Sequence, residues 1–519
     1  MVGVRVPHMG KRRTWRRPHP DSRVVRPTRT GTTAAVSVPD RDARDAALRE
    51  LKEFRVDFRA CLTRWGDELF EIGDAVLCSD GPVRGLADLS IAPEHTRSHG
   101  SVQRAMNDGR IDFERLNWSF VLRDLPRGPG GGIVLAVDVT PWLRPDANTS
   151  GQRTFCHTYG RAEGAHEMVP GWAYSIVAAL SGGPTSWTAP LDAYRLRPGD
   201  HVQQHTARQL REVVTRIVTL GRWREGDEPI RIVADCGYDG PYLAHQLAGL
   251  PVEVCVRMRG DRVLYRDPPT NGGVGPQGGR PRRHGSRFEF HAPDTWGTPL
   301  HETEHDLDKY GHLRVRCFER LHVKLNRQTV WAHHPEPELP LVPGTVIRLD
   351  VERLPSGGSP KPLWLWWSRT DTDVTLADTV WSCFLRRFDL EHTFRYWKQH
   401  LGWTRPALRD PLAADRWTAL VMTVYTQLRL ARPLTGDLRR PWERPLPIDR
   451  LTPGRVRRGF RQVRRSLPVL TNPAKPSHPG PGRPPGRRNY RKAPVYNVGN
   501  ALLENDQRTD ERHPERPTS

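Results

Sequence analysis

Two short apolar runs, each carrying one aspartate, place the strongest constraint on how this chain can fold. The first run is Gly132–Thr140 (GIVLAVDVT), which contains Asp138, and the second is Ile230–Tyr238 (IRIVADCGY), which contains Asp235. Short runs rich in β-branched residues are typical of buried strands. An aspartate in a buried strand is costly unless it is paired or bound to a metal. Each aspartate alone could therefore be a hydrogen-bonded structural residue or a metal ligand.

A third carboxylate lies far downstream, in the segment Phe384–Lys398 (FLRRFDLEHTFRYWK). Here Arg387, Glu391 and Lys398 are spaced by four and seven residues, which puts them within roughly 40° on one helix face. Taken alone, this pattern is also that of a surface salt bridge worth a few tenths of a kcal/mol. With the two aspartates it predicts a site for Mg²⁺, or Mn²⁺ in its place, because both ions prefer oxygen ligands.

The charge of the chain indicates a polyanionic partner. Its 519 residues carry a net charge of +21, and the pI is about 10.2. Nucleic acid is the simplest such partner, although a GC-rich genome that favours Arg codons would also contribute. The seven cysteines include no CxxC pair, which argues against a disulfide framework and for a reducing compartment. No apolar run approaches the ~20 residues of a membrane helix. We therefore expect a cytoplasmic protein without a membrane partner.

Composition and periodicity divide the chain into six segments. They are a disordered basic arm (1–38), a helical, DNA-binding domain (39–127), the first part of an α/β core (128–257), a mostly β insertion (258–361), the second part of the core (362–440) and a basic Pro/Arg-rich tail (441–519).

Within these segments the pattern predicts strands and helices that should form a mixed α/β sheet. The predicted strands are 133–140, 153–159, 173–181, 230–235, 252–257, 287–290, 313–325, 329–333, 346–354 and 362–368. The predicted helices are 206–220, 241–250, 377–400, 413–431 and 455–466.

These residues together resemble a DDE transposase of a bacterial insertion sequence. The resemblance is to the sub-group with a Y-x2-R-x3-E-x6-K signature, which this chain matches at Arg387, Glu391 and Lys398, with Phe384 at the tyrosine position. It implies an RNase H-like mixed-sheet core, interrupted by a β-rich insertion, in which Asp138, Asp235 and Glu391 are the catalytic, metal-binding residues. Two-metal phosphoryl transfer would then cleave DNA at the element's ends and join the 3′ ends to a target.

The resemblance also implies that Arg387, Lys398 and Phe384 contact DNA. The partners would be the terminal inverted repeats and the target DNA, bound by a homodimer because two ends must be held together. In the tail, the sequence Gly482–Arg488 (GRPPGRR) resembles the core of an AT-hook. Arg483, Arg487 and Arg488 would then enter a minor groove or contact phosphates without sequence preference.

Two alternatives stay open from the sequence. The chain could be a domesticated or inactive RNase H-like DNA-binding protein or nuclease rather than a transposase. The strand around Trp364, Trp366 and Trp367 could supply an aromatic side chain that stacks on a flipped base, or all three could pack in the core.

Overall fold

Helices dominate the N-terminal part of the structure. The computed structural model describes residues 41–159, 166–268, 282–354, 357–475 and 492–499. The first elements are α1 (Arg41–Cys61), β1 (Leu62–Arg64), α2 (Gly66–Cys78), α3 (Leu86–Ser90), α4 (His99–Asp108), β2 (Arg110–Ile111) and α5 (Phe113–Val121). Leucine, phenylalanine and cysteine recur along α1 at steps of three and four, so one face of this helix is buried. The predicted helical segment is therefore present.

A large mixed sheet follows these helices. Its first elements are β3 (Val134–Leu143), β4 (Thr154–Tyr159), β5 (His166–Leu180), β6 (Thr188–Leu196), α6 (Val202–Thr219), β7 (Ile230–Ala234), α7 (Gly240–Gln246) and β8 (Val252–Met258). Strands β3, β7 and β8 are parallel neighbours, whereas β5 runs antiparallel to β3 and pairs with both β4 and β6. The parallel strands are almost wholly buried, as expected where helices cover both faces of a sheet.

The β-rich segment that follows extends this same sheet. Its strands are β9 (Val263–Tyr265), β10 (Arg287–Glu289), β11 (His301–Leu307), β12 (Gly311–Leu321), β13 (Gly344–Val351) and β14 (Leu363–Trp367). Strands β9 and β10 form a ladder of their own. Strands β11 to β14 are antiparallel, and β14 pairs with β8, which gives the order β11-β12-β13-β14-β8-β7-β3-β5-β4. The segment predicted to be an insertion is thus continuous with the core sheet.

Four helices complete the described chain: α8 (Val374–Leu385), α9 (Phe388–Gln399), α10 (Pro411–Ala431) and α11 (Pro453–Arg464). Helix α10 is buried along nearly its whole length. Helix α10 also contacts the N-terminal helices. The fully buried guanidinium of Arg55 on α1 donates to Asp74 on α2 at 2.7 Å and to Gln427 on α10 at 2.6 Å. None of the described helices is long and apolar enough to cross a membrane.

Several local predictions were wrong. The predicted helix 377–400 is two helices, because backbone bonds from Arg387 to Phe384 and from Leu390 to Arg387 tighten the chain into an i→i−3 turn. The predicted strand 329–333 is a 3₁₀ turn, because the backbone N–H groups of Ala332 and His334 donate to the carbonyls three residues earlier. Strands β6, β9 and β11 were not predicted.

The tryptophans of β14 pack in the core. Trp364, Trp366 and Trp367 are 3%, 0% and 1% exposed, so none of them is available to stack on a base in this conformation. The ring of Trp364 instead stacks on Phe290 from the segment after β10, with 4.1 Å between centroids.

Candidate active site

The two strand aspartates lie side by side in the sheet. In the parallel pair of β3 and β7, Ala136 is opposite Val233, so Asp138 and Asp235, two residues further along each strand, reach the same level. Asp235 directly follows the end of β7, as predicted. Asp138 lies inside β3, opposite Ile176 of β5, because β3 continues past the end of its pairing with β7. The local fold therefore brings together two carboxylates that are far apart in the sequence.

Helix α9 brings the third carboxylate to the same place. Arg387 immediately precedes α9, and Glu391 lies in the first turn of this helix. The Arg387 guanidinium lies 3.2 Å from Asp138, 2.9 Å from Glu391 and 4.0 Å from Asp235, measured from nitrogen to carboxylate oxygen. The acidic trio of Asp138, Asp235 and Glu391 thus converges on one guanidinium.

Exposure differs sharply within this cluster. The side chain of Arg387 is 4% exposed, whereas those of Asp138, Asp235 and Glu391 are 24%, 35% and 46% exposed. The pKa of Asp138 is raised from 3.8 to about 6, chiefly by burial. Arg387 and the backbone N–H of Val139 lower this pKa, and the neighbouring Asp235 and Glu391 raise it. The carboxylates therefore face solvent on one side, and the arginine closes the site from behind.

The predicted DNA-contacting residues have different placements. The ammonium of Lys398 lies 5.7 Å from the Trp403 ring centroid, and burial lowers its pKa to about 8 although Asp138 acts in the opposite direction. Phe384 lies on α8 and is 1% exposed, so its ring packs in the core and the predicted DNA contact does not fit this placement. Arg483, Arg487 and Arg488 lie outside the described residues.

One residue of the site was missed in the sequence. Arg257, near the end of β8, lies 3.9 Å from Asp235, and its side chain is 48% exposed. Arg257 reaches the same level of the sheet as Asp235, one strand further along, since Ala234 of β7 is opposite Val256 of β8. A signal was present, because the predicted strands 230–235 and 252–257 are both short apolar runs that end in a charged residue.

The donor set of the trio fits a divalent cation. Three carboxylates outnumber the single buried guanidinium between them, and carboxylate oxygens suit Mg²⁺ and Mn²⁺. No group of three or more metal-ligating side chains is already spaced to hold an ion within the part of the chain that the structure describes. The Arg387 guanidinium lies where the three carboxylates meet, so an ion bound by all three would compete with it.

Comparison with known protein families identifies the family of this chain. A family model described as DDE superfamily endonuclease matches residues 57–318, about half of the chain. The chain belongs to the DDE superfamily endonuclease family. DDE endonucleases are nucleases that act on DNA and generally use divalent metals. The match includes Asp138 and Asp235 but ends before Glu391. No curated protein matches the chain at a significant level.

Proposed function

We propose that this DDE endonuclease is a transposase that cleaves DNA at the ends of an insertion sequence and joins the 3′ ends to target DNA. The observation that carries the proposal is the convergence of the acidic trio, from three distant parts of the chain, on one guanidinium. The strand order β6-β5-β3-β7-β8, with β5 antiparallel and the last three strands parallel, supports an RNase H-like core.

The trio would hold the divalent metal in this mechanism. Asp138 and Asp235 supply ligands from adjacent strands, and Glu391 supplies one from α9. Bound cations would activate a water or a DNA 3′-hydroxyl and stabilise the leaving oxygen. The raised pKa of Asp138 means that a cation competes with a proton for this carboxylate below about pH 6.

Two basic residues of α9 would position the DNA. Lys398 lies seven residues from Glu391, in the last turn of the same helix, and with a pKa of about 8 it stays mostly protonated at neutral pH. Its ammonium can pair with a phosphate as a point charge. Arg387 offers a planar fork for a phosphate once a cation takes its place among the carboxylates. Arg257, beside Asp235, adds a third positive charge at the rim.

The decisive experiment is strand cleavage of DNA that carries the inverted repeats flanking the gene. With Mg²⁺ we expect the wild type to cut at the repeat ends and to join the 3′ ends to a second DNA. Asp138→Asn, Asp235→Asn and Glu391→Gln should each lower cleavage by about a thousandfold, because each removes a carboxylate ligand of the cation that would stabilise charge on the reacting phosphate. DNA binding in EDTA should remain.

Other outcomes separate the alternatives. Cleavage without joining would favour a nuclease over a transposase. Equal cutting by the wild type and Asp138→Asn would show that the acidic trio is not the active site. Binding without any cleavage, at the correct repeats and with Mg²⁺, would favour a DNA-binding protein that has lost activity.

A further inference from the structure

An exposed tryptophan stands on the loop between α10 and α11. Trp442 lies in residues 436–447, and its side chain is 75% exposed. Among the large apolar side chains of the described residues, only Ile91 is more exposed, at 79%. Tryptophan is enriched at binding interfaces, so an indole that faces solvent on a loop of fixed shape is a candidate contact when other binding groups surround it.

Two carboxylates fix the shape of this loop. Asp437 accepts hydrogen bonds from Arg455 of α11, at 2.9 and 2.8 Å, and from the backbone N–H of Leu446 at 2.9 Å. Glu443 accepts from Arg458 of α11 at 2.8 Å and from the backbone N–H of Arg440 at 2.8 Å. These bonds anchor both halves of the loop to α11. They fix the loop conformation in which the Trp442 side chain is exposed.

The loop is also the place where positive charge faces solvent. The basic helix α11 has most of its arginines in ion pairs: Arg455, Arg458, Arg461 and Arg464 each contact a carboxylate. By contrast, Arg439, Arg440 and Arg444 are exposed and form no ion pair with any described residue. The Arg440 guanidinium lies 5.6 Å from the Trp442 ring centroid. The Arg439 guanidinium donates to the backbone carbonyl of Glu443 at 3.3 Å. The loop therefore combines three exposed arginines that have no carboxylate partner among the described residues with one exposed indole.

This combination fits nucleic acid better than protein. Arginines pair with phosphates, and an indole stacks on a base, which is how single-stranded nucleic acid is bound without sequence preference. Base faces inside a duplex are covered by their neighbours, and a blunt end leaves open only the face of its last pair. A single-stranded stretch therefore offers the indole far more bases on which to stack. The loop also lies beside α9, because Leu446 of the loop lines one cavity with His392 and Tyr396 of that helix.

We propose that the Trp442 loop (residues 436–447) binds an unpaired stretch of the DNA substrate. The indole stacks on a base, and Arg439, Arg440 and Arg444 contact the phosphates on either side. The inference rests on the proposed function, because that function supplies DNA whose strands are cut and partly unpaired.

Binding of two labelled DNAs tests the inference. One is a blunt duplex, the other is the same duplex with a single-stranded tail, and fluorescence anisotropy is measured in EDTA so that neither is cut. We expect Trp442→Ala to weaken binding of the tailed DNA about tenfold and to leave the blunt duplex nearly unchanged. Trp442→Phe should retain most of the affinity, because a phenyl ring still stacks.

The arginines give a second, independent readout. Arg440→Ala should weaken binding of the tailed DNA and reduce the slope of log affinity against log salt by about one. Arg224→Ala is the matched control, because Arg224 is an exposed arginine in the loop before β7 and forms no ion pair with described residues. It should leave the affinity for the tailed DNA unchanged.

The possible results separate this inference from the proposed function. If the wild type binds neither DNA, the proposed function fails and takes the inference with it. If the wild type binds both DNAs and Trp442→Ala binds them equally well, or loses both to the same extent, only the inference fails. If Trp442→Ala instead dissociates a dimer in sedimentation, the indole contacts a second copy of this chain and the inference is overturned.

Discussion

Replacing Arg387 by methionine removes the cation from the centre of the acidic trio while keeping a side chain of similar length. The guanidinium is 4% exposed and pairs with Asp138 at 3.2 Å and with Glu391 at 2.9 Å. Removing one partner of a fully buried ion pair costs about 3–5 kcal/mol. Because the carboxylates are 24% to 46% exposed, solvent screens part of that cost. We expect Arg387→Met to lower the free energy of unfolding by about 2 kcal/mol in EDTA.

A divalent cation should reverse this loss. In Arg387→Met the three carboxylates face one another without a protein cation, so an added ion has no guanidinium to displace. At about a hundredfold excess over its dissociation constant, a bound ion adds about 2.7 kcal/mol to stability. Mn²⁺ should therefore restore the variant to near the wild-type level and stabilise the wild type by less. Thermal unfolding in EDTA and in Mn²⁺ measures both effects without any cleavage step.

Arg386→Met is the matched control for this experiment. Arg386 is the neighbouring residue, pairs with Asp389 at 2.8 Å and forms no ion pair with the acidic trio. Its loss should lower stability and leave the response to Mn²⁺ as small as that of the wild type. If Arg387→Met unfolds at the wild-type temperature in EDTA, or if Mn²⁺ stabilises the wild type and the variant equally, the guanidinium does not neutralise the site and the reasoning is refuted.

Three further perturbations follow from the described contacts, each measured by urea unfolding. Burial raises the pKa of Asp138 from 3.8 to about 6, so the charged carboxylate destabilises the fold at neutral pH. The stability of the wild type relative to Asp138→Asn should therefore rise by about 2 kcal/mol from about pH 7 to about pH 4, and a flat difference would contradict this. Gly240→Ala should cost about 1–3 kcal/mol, because the added Cβ would lie 2.4 Å from a methyl of Val256, whereas Gly237→Ala meets nothing within 4 Å and should cost far less. Arg55→Met should cost about 3 kcal/mol, because it leaves a buried carboxylate and amide short of a donor, and a loss below about 0.5 kcal/mol would show that these groups find other partners.

The sequence predicted the parts of the fold that depend on local pattern. Strands β7 and β8 and helix α10 were predicted to within about two residues, because each is a buried run or an apolar helix with clear ends. Strand β11 was missed because its sequence, HETEHDL, contains only one apolar residue. It is stabilised by cross-strand pairs such as Glu302 with Arg314 on β12, which no single-strand pattern contains.

The candidate site was predicted in part for the same reason. Helical spacing placed Arg387 and Glu391 on one face, and the structure gives them an ion pair. The contact between Arg387 and Asp138 depends on how α9 packs against β3. The tight turn at Arg387 could not be predicted either, because no proline or glycine marks it in the sequence. Arg257 was missed because its place is set by the register of β8 against β7.

The pairing of β14 limits how this protein could be shortened. One edge of β14 bonds to β8 of the core, and the other bonds to β13, with Thr345 opposite Trp367. A truncation that removed residues 259–361 would leave β14 with a row of unsatisfied backbone N–H and C=O groups beside three large indoles. An exposed edge strand of this kind pairs with strands of other molecules and so promotes aggregation. A shortened version of this enzyme would therefore need another strand or segment in place of β13 to pair with β14 and keep the protein from precipitating.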